Sequence, residues 1–135
     1  MEENNKKIVA EFMECKNFKD YGNNFTFEHP TKTKMEWSNR FQDNIETNMF
    51  STSFDPFYNN DWNWLMKVGN KINNILDEYL KKYIEGESDL INDFYDLNLQ
   101  NITYYEGELR LTTDINLVYL DFIEFINFYN KQEEE

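Results

Sequence analysis

The stretch Asp61-Trp62-Asn63-Trp64-Leu65-Met66-Lys67-Val68-Gly69-Asn70-Lys71-Ile72-Asn73-Asn74-Ile75-Leu76-Asp77-Glu78-Tyr79-Leu80-Lys81-Lys82-Tyr83 decides the fold. Trp62, Leu65, Met66, Ile72, Leu76, Tyr79 and Tyr83 recur at helical spacing on one side, with Asn63, Lys67, Asn70, Asn74, Asp77 and Lys81 opposite. Asp61 can accept a first-turn N–H as N-cap, and Glu85-Gly86-Glu87 stops the helix. A long helix with one wet face needs a partner for its dry one, and the chain on either side supplies candidates.

Downstream, Ser88-Asp89 opens a shorter helix running to about Leu97, with Leu90, Ile91, Phe94 and Leu97 apolar. Asn101 to Thr112 reads as a β-hairpin: Ile102 and Tyr104 alternate on one arm, Leu109 and Leu111 on the other, around a Glu106-Gly107 turn. Thr113 is placed to cap a last helix to about Asn130. Its polar stripe, Asp121, Glu124, Asn127 and Lys131, is narrow, so that helix is either central or covered by a partner.

Upstream, Ile8, Val9, Phe12 and Met13 predict a short helix over Asn5 to Glu14. Phe25-Thr26-Phe27 and Met35-Glu36-Trp37 alternate as half-buried strands do, with His29-Pro30 expected to break the chain between them. Asn23-Asn24 and Asp55-Pro56 are turn-like. The expectation is an α+β fold of about four helices with a small antiparallel sheet that includes the 101–112 hairpin. The 135 residues fit one domain, 1–135, with 131–135 as a frayed acidic tail.

Aromatic residues make up 18% of the chain, enough to fill a core that has little Ala and Val. A mean hydropathy of -0.83 therefore does not imply disorder, because disordered acidic chains are poor in aromatic residues. Abundant Asn, Lys, Ile, Phe and Tyr is the composition that AT-rich codons produce.

The formal net charge is -13, and it is unevenly placed. Residues 1–83 carry 13 acids against 11 bases, whereas residues 84–135 carry 13 acids against Arg110 and Lys131. Such a surface repels nucleic acid and membranes and attracts basic protein surfaces, although many acidic proteins use their charge only for solubility. No apolar run is long enough to span a bilayer, and the acidic start Met1-Glu2-Glu3 does not read as a signal peptide. The expected location is the cytoplasm.

The residues for common chemistries are missing or isolated. The single cysteine, Cys15, excludes an internal disulfide and a thiolate metal cage. The single histidine, His29, has no second histidine to share a zinc ion, and no flanking signature makes a dyad of the two. There is no phosphate-binding glycine loop and no nucleophile elbow. Asp89 and Asp93 share a helical face, but without a metal-binding loop they read as a solvated edge. Lys6-Lys7, Lys32, Lys34 and Lys81-Lys82 are too dispersed to track a phosphate backbone. We therefore expect no enzyme activity, no cofactor and no metal.

Three stretches carry a resemblance. Asp61 through Ile72, with its Trp62-x-Trp64-Leu65-Met66 core, resembles a helix found in small uncharacterised proteins of Bacteroidota phages and prophages. Tyr119 through Asn130 is similar to their closing helix, and Ile8 through Met13 to their opening one. Lys67 departs from the pattern, which more often has proline there, and the middle of the chain does not align. The resemblance implies a phage setting, the cytoplasm of an infected bacterium, and within it an anti-CRISPR role as an inhibitor of a type VI-B or type II effector. RNA-guided effectors hold their guide and target in basic channels, which an acidic face can occupy or clamp. The partner-binding acids expected on this reading are Asp77, Glu78, Glu85, Glu87, Asp89, Asp93 and Asp96. The alternative is an accessory phage protein for replication, assembly or regulation, acting by homo- or hetero-oligomerisation through the last helix.

Overall fold

Four helices and five strands form in a computed structural model that describes residues 2–22, 24–34, 46–52 and 57–133. The order is α1 (Glu2–Phe12), β1 (Lys16–Tyr21), β2 (Asn24–Lys34), β3 (Glu46–Ser51), α2 (Trp62–Ile84), α3 (Leu90–Tyr95), β4 (Ile102–Tyr105), β5 (Glu108–Leu111) and α4 (Ile115–Glu133). This is the expected α+β class. The length reads as one domain, and the chain divides into two compact units, Met1–Phe57 and Tyr58–Glu135.

In the first unit β1, β2 and β3 form an antiparallel sheet in that order. Helix α1 ends with Glu14 in the left-handed region at φ 66°. There the Glu14 N–H donates to Glu11 O at 2.9 Å and the Cys15 N–H to Ala10 O at 2.9 Å, which satisfies two terminal carbonyls. On β2, Phe25, Phe27 and His29 alternate onto the buried face. Phe27 lies 5.8 Å from Phe50 and edge-on to Phe57 at 5.9 Å, ring to ring. Aromatic contact thus does the work that aliphatic side chains do in most small sheets.

His29-Pro30 does not break the chain; β2 runs through both to Lys34. The sheet accommodates the proline by irregular pairing. Glu28 pairs with Met49, and the next pair is Thr33 with Thr47, so β2 carries extra residues in between. Pairing with β1 has already ended at Lys16 and Glu28. The N–H that Pro30 lacks is therefore not required by either neighbour, as at other bulges. Asn23, Met35-Glu36-Trp37 and Asp55-Pro56 lie outside the described residues.

The second unit is built on α2. Asp61 caps it, its Oδ1 accepting the Asn63 N–H at 2.8 Å. The dry face is Leu65, Val68, Gly69, Ile72, Leu76 and Tyr79, a continuous i, i+3, i+4, i+7 stripe. Val68 and Gly69 belong to it. Trp62, Met66 and Tyr83 do not and stay exposed, because Met66 is turned off the stripe and the other two lie at the helix ends. At Gly69 a Cβ would come within 3.4 Å of the Phe122 ring, so glycine lets α4 approach α2 closely. The stop is a second motif of the kind that ends α1: Gly86 has φ 75°, its N–H reaches Tyr83 O and that of Glu87 reaches Lys82 O.

Helix α3 opens at the Ser88 hydroxyl, which accepts the Leu90 N–H at 3.2 Å, and ends at Tyr95, two residues before the expected Leu97. Strands β4 and β5 pair Ile102 with Leu111 and Tyr104 with Leu109. Glu106 and Gly107, at φ 53° and 79°, make the turn in the doubly left-handed form that suits strand twist. Helix α4 buries Val118, Tyr119, Phe122, Ile123, Phe125 and Ile126 and continues to Glu133, past Asn130. Its N-cap is Asp114 rather than Thr113. The Asp114 carboxylate accepts the N–H groups of Asn116 at 3.1 Å and Leu117 at 3.2 Å, a reach that the preceding residue lacks.

Asp114→Ala is expected to lower stability by about 1 kcal/mol, and Thr113→Ala by a few tenths at most, in urea unfolding followed by circular dichroism. Equal effects would contradict this assignment.

Candidate functional site

The seven acids expected to meet a partner occupy one continuous stretch of the second unit. Asp77 and Glu78 are on α2, Glu85 is its C-cap and Glu87 follows Gly86. Asp89 precedes α3 and makes no side-chain cap bond; Asp93 is on α3 and Asp96 is its C-cap. All seven are exposed. Among the described residues no ion pair reaches any of them, even with Lys81 and Lys82 in the last turn of α2.

The seven are not equivalent. Asp77 accepts the Tyr104 hydroxyl at 2.5 Å through Oδ1 and the Asn73 side-chain amide at 3.2 Å through Oδ2. Tyr104 is 3% exposed, so Asp77 is the acceptor for a buried phenol. Burial first, and then the Asp77 carboxylate, hold the Tyr104 phenol well above the usual tyrosine range. Glu78, Glu85, Glu87, Asp89, Asp93 and Asp96 make no side-chain hydrogen bond among the described residues. These six are the candidate interaction surface, and Asp77 serves the fold.

Asp77 is one member of a set of polar clamps on the hairpin. The Leu109 N–H points away from β4 at a pair that does not share hydrogen bonds, and Asn73 Oδ1 of α2 accepts it at 2.7 Å. On the opposite edge the Tyr95 hydroxyl of α3 donates to Tyr104 O at 3.0 Å. Before β4, the Asn101 N–H donates to Asp121 of α4 at 2.7 Å. Helices α2, α3 and α4 therefore each contribute one side chain to backbone groups of the hairpin. Asn73 and Tyr95 were not singled out by pattern, and Asp121 read as part of the polar stripe of the last helix. The available signal was position, and for Asn73 alone: it borders the dry stripe of α2, next to Gly69 and Leu76 in helical position.

Cys15 and His29 are both buried in the first unit. Among the described residues no three His, Cys, Asp or Glu side chains are grouped as a metal ion would need, and no helix is long and apolar enough to cross a membrane. What the fold and surface define is a small α+β chain with a run of exposed carboxylates along the end of α2, its loop and α3 that are unpaired among the described residues. No protein-family model, curated protein or solved structure matches the chain.

Tyr104→Phe removes the buried bond to a carboxylate and is expected to cost about 1.5–3 kcal/mol at pH 7. The raised phenol also fixes a pH dependence. Below about pH 10 the phenol is neutral folded and unfolded, so its contribution is complete. Above about pH 10 the unfolded chain ionises first, and stability falls as pH rises toward the folded value. Tyr79, lifted to about 12 by burial and by neighbouring Tyr129 and Glu133, adds to the same loss. Urea unfolding between pH 8 and 11 should show this decline blunted in Tyr104→Phe; an identical slope in variant and parent would contradict it.

Proposed function

We propose that the chain is a non-catalytic binding protein that engages a basic protein surface through Glu78, Glu85, Glu87, Asp89, Asp93 and Asp96. The observation that supports this reading is their lack of internal partners. Six carboxylates held along one helix end, one loop and one short helix repel each other, and water screens that repulsion only in part. Cations on a partner would relieve it and steer association. In the phage setting implied by the Trp62-x-Trp64-Leu65-Met66 helix, the partner is an RNA-guided CRISPR nuclease. The chain occupies or clamps its guide- or target-binding channel and so acts as an anti-CRISPR inhibitor in the cytoplasm of the infected host.

Leu117 and Leu120, 45% and 48% exposed on α4, favour a second reading in which the chain acts through self-association or assembly with another phage protein. Light scattering after gel filtration separates the two: a strict monomer at high concentration removes self-association.

Replacing Glu85, Glu87, Asp89 and Asp93 with Lys should weaken binding to a guide-loaded type VI-B or type II nuclease at least about tenfold at low salt, with the circular dichroism spectrum unchanged. Parent binding should itself weaken steeply as salt rises. Equal affinity of the parent and the charge-reversed chain at low salt would overturn the acidic-surface reading.

A further inference from the structure

Among the described residues Ile84 is the most exposed large apolar side chain, at 75%, and its neighbour Tyr83 is 45% exposed. It stands at the last turn of α2, where a shallow groove of about 310 Å³ opens between that helix and the hairpin. Leu80, Ile84 and the buried Tyr104 give the groove apolar walls, and Asp77, Lys81 and Glu85 give it a polar rim. The groove is open at the hairpin turn: a Cβ on Gly107 would meet nothing within 4 Å.

The rim determines what fits. Tyr104 occupies Asp77, so the rim carboxylate open to a partner is Glu85. It lies at the negative end of the α2 dipole, with Glu87 two residues on. Lys81 is the cation of the rim and stands one turn earlier on the helix. We propose that this groove takes an aliphatic side chain of a partner peptide whose adjacent arginine or lysine meets Glu85 and Glu87. The inference rests on the acidic-surface reading and names the apolar anchor that charge alone does not provide; anchors of this kind carry most of the energy of protein interfaces. Helix α2 presents the apolar half of the contact, with Glu85 as its C-cap, and the Asp77–Tyr104 and Asn73–Leu109 bonds fix its C-terminal half against the hairpin.

The test uses the whole chain and an acetylated, amidated peptide of alternating arginine and leucine, followed by amide chemical shifts and by calorimetry. Binding is expected to shift Leu80, Ile84, Tyr104 and Gly107 most. Changing the peptide leucines to serine, or Ile84→Ser in the chain, should each weaken binding about tenfold, the yield of burying one aliphatic side chain. If shifts spread evenly over Glu87, Asp89, Asp93 and Asp96 and both serine changes leave affinity unchanged, the groove inference fails while the acidic surface stands. If Ile84→Ser weakens binding but Glu85→Lys with Glu87→Lys does not, the cationic half of the proposal is overturned. Because Ile84 is exposed, its replacement leaves the fold intact, which an unchanged melting curve verifies.

Discussion

A two-stranded hairpin has two open edges and no third strand to close either. In water such a hairpin is marginal alone, and when helices bury its face its unpaired N–H and C=O groups still need partners. The β4–β5 hairpin finds them in side chains. Asn73 takes Leu109 N–H, Tyr95 supplies a hydroxyl to Tyr104 O, and Asp121 takes Asn101 N–H. Asp77 adds the Tyr104 phenol. Each bond joins residues 9 to 36 positions apart in sequence, so together they fix where α2, α3 and α4 lie around the hairpin. The apolar core between the helices supplies most of the energy, while the polar clamps select one arrangement of it.

That constraint sorts the acids. Asp77 and Asp121 look on paper like members of two solvated helix stripes, yet each accepts a hydrogen bond from the hairpin. Glu78, Glu85, Glu87, Asp89, Asp93 and Asp96 accept none among the described residues. Within residues 84–135 Asp114 and Asp121 hold backbone N–H groups, whereas Glu85, Glu87, Asp89, Asp93 and Asp96 follow one another along the end of α2, its loop and α3. A binding role rests on that remainder rather than on the bulk figure of -13. The apolar groove at Ile84 lies against the same run, which gives a surface otherwise defined only by charge a place with shape.

What could be read from sequence follows the range of the interaction. Helix α2 and the hairpin are encoded by periods of 3.6 and 2 within a few residues, and both lie where those periods put them. The Asp61 cap and the Gly86 stop are equally local. Adjacent candidates are harder to separate: Thr113 and Asp114 are both good caps by type, and only the geometry of the first turn selects Asp114. Pro30 marks a break in an ideal ladder, but β2 tolerates it where the ladder is already irregular. Met66 matches the apolar residue types of α2 without matching its stripe, and Trp62 and Tyr83 keep its spacing but lie at the helix ends, where they stay exposed. At the site, exposure of the acids was legible from their polarity, whereas the withdrawal of Asp77 was not. Its partner is 27 residues away, in an element whose position depends on the packing of the whole unit.

The dependence of the second unit on side-chain clamps is tested most directly by native-state amide exchange at Leu109 and Asn101. In a hairpin whose edges face water these N–H groups open locally and exchange quickly. Held by Asn73 and Asp121, they should exchange only with global unfolding, at rates that match buried α4 amides such as Phe122. Exchange at either position as fast as at the exposed Gly107 turn would contradict the account.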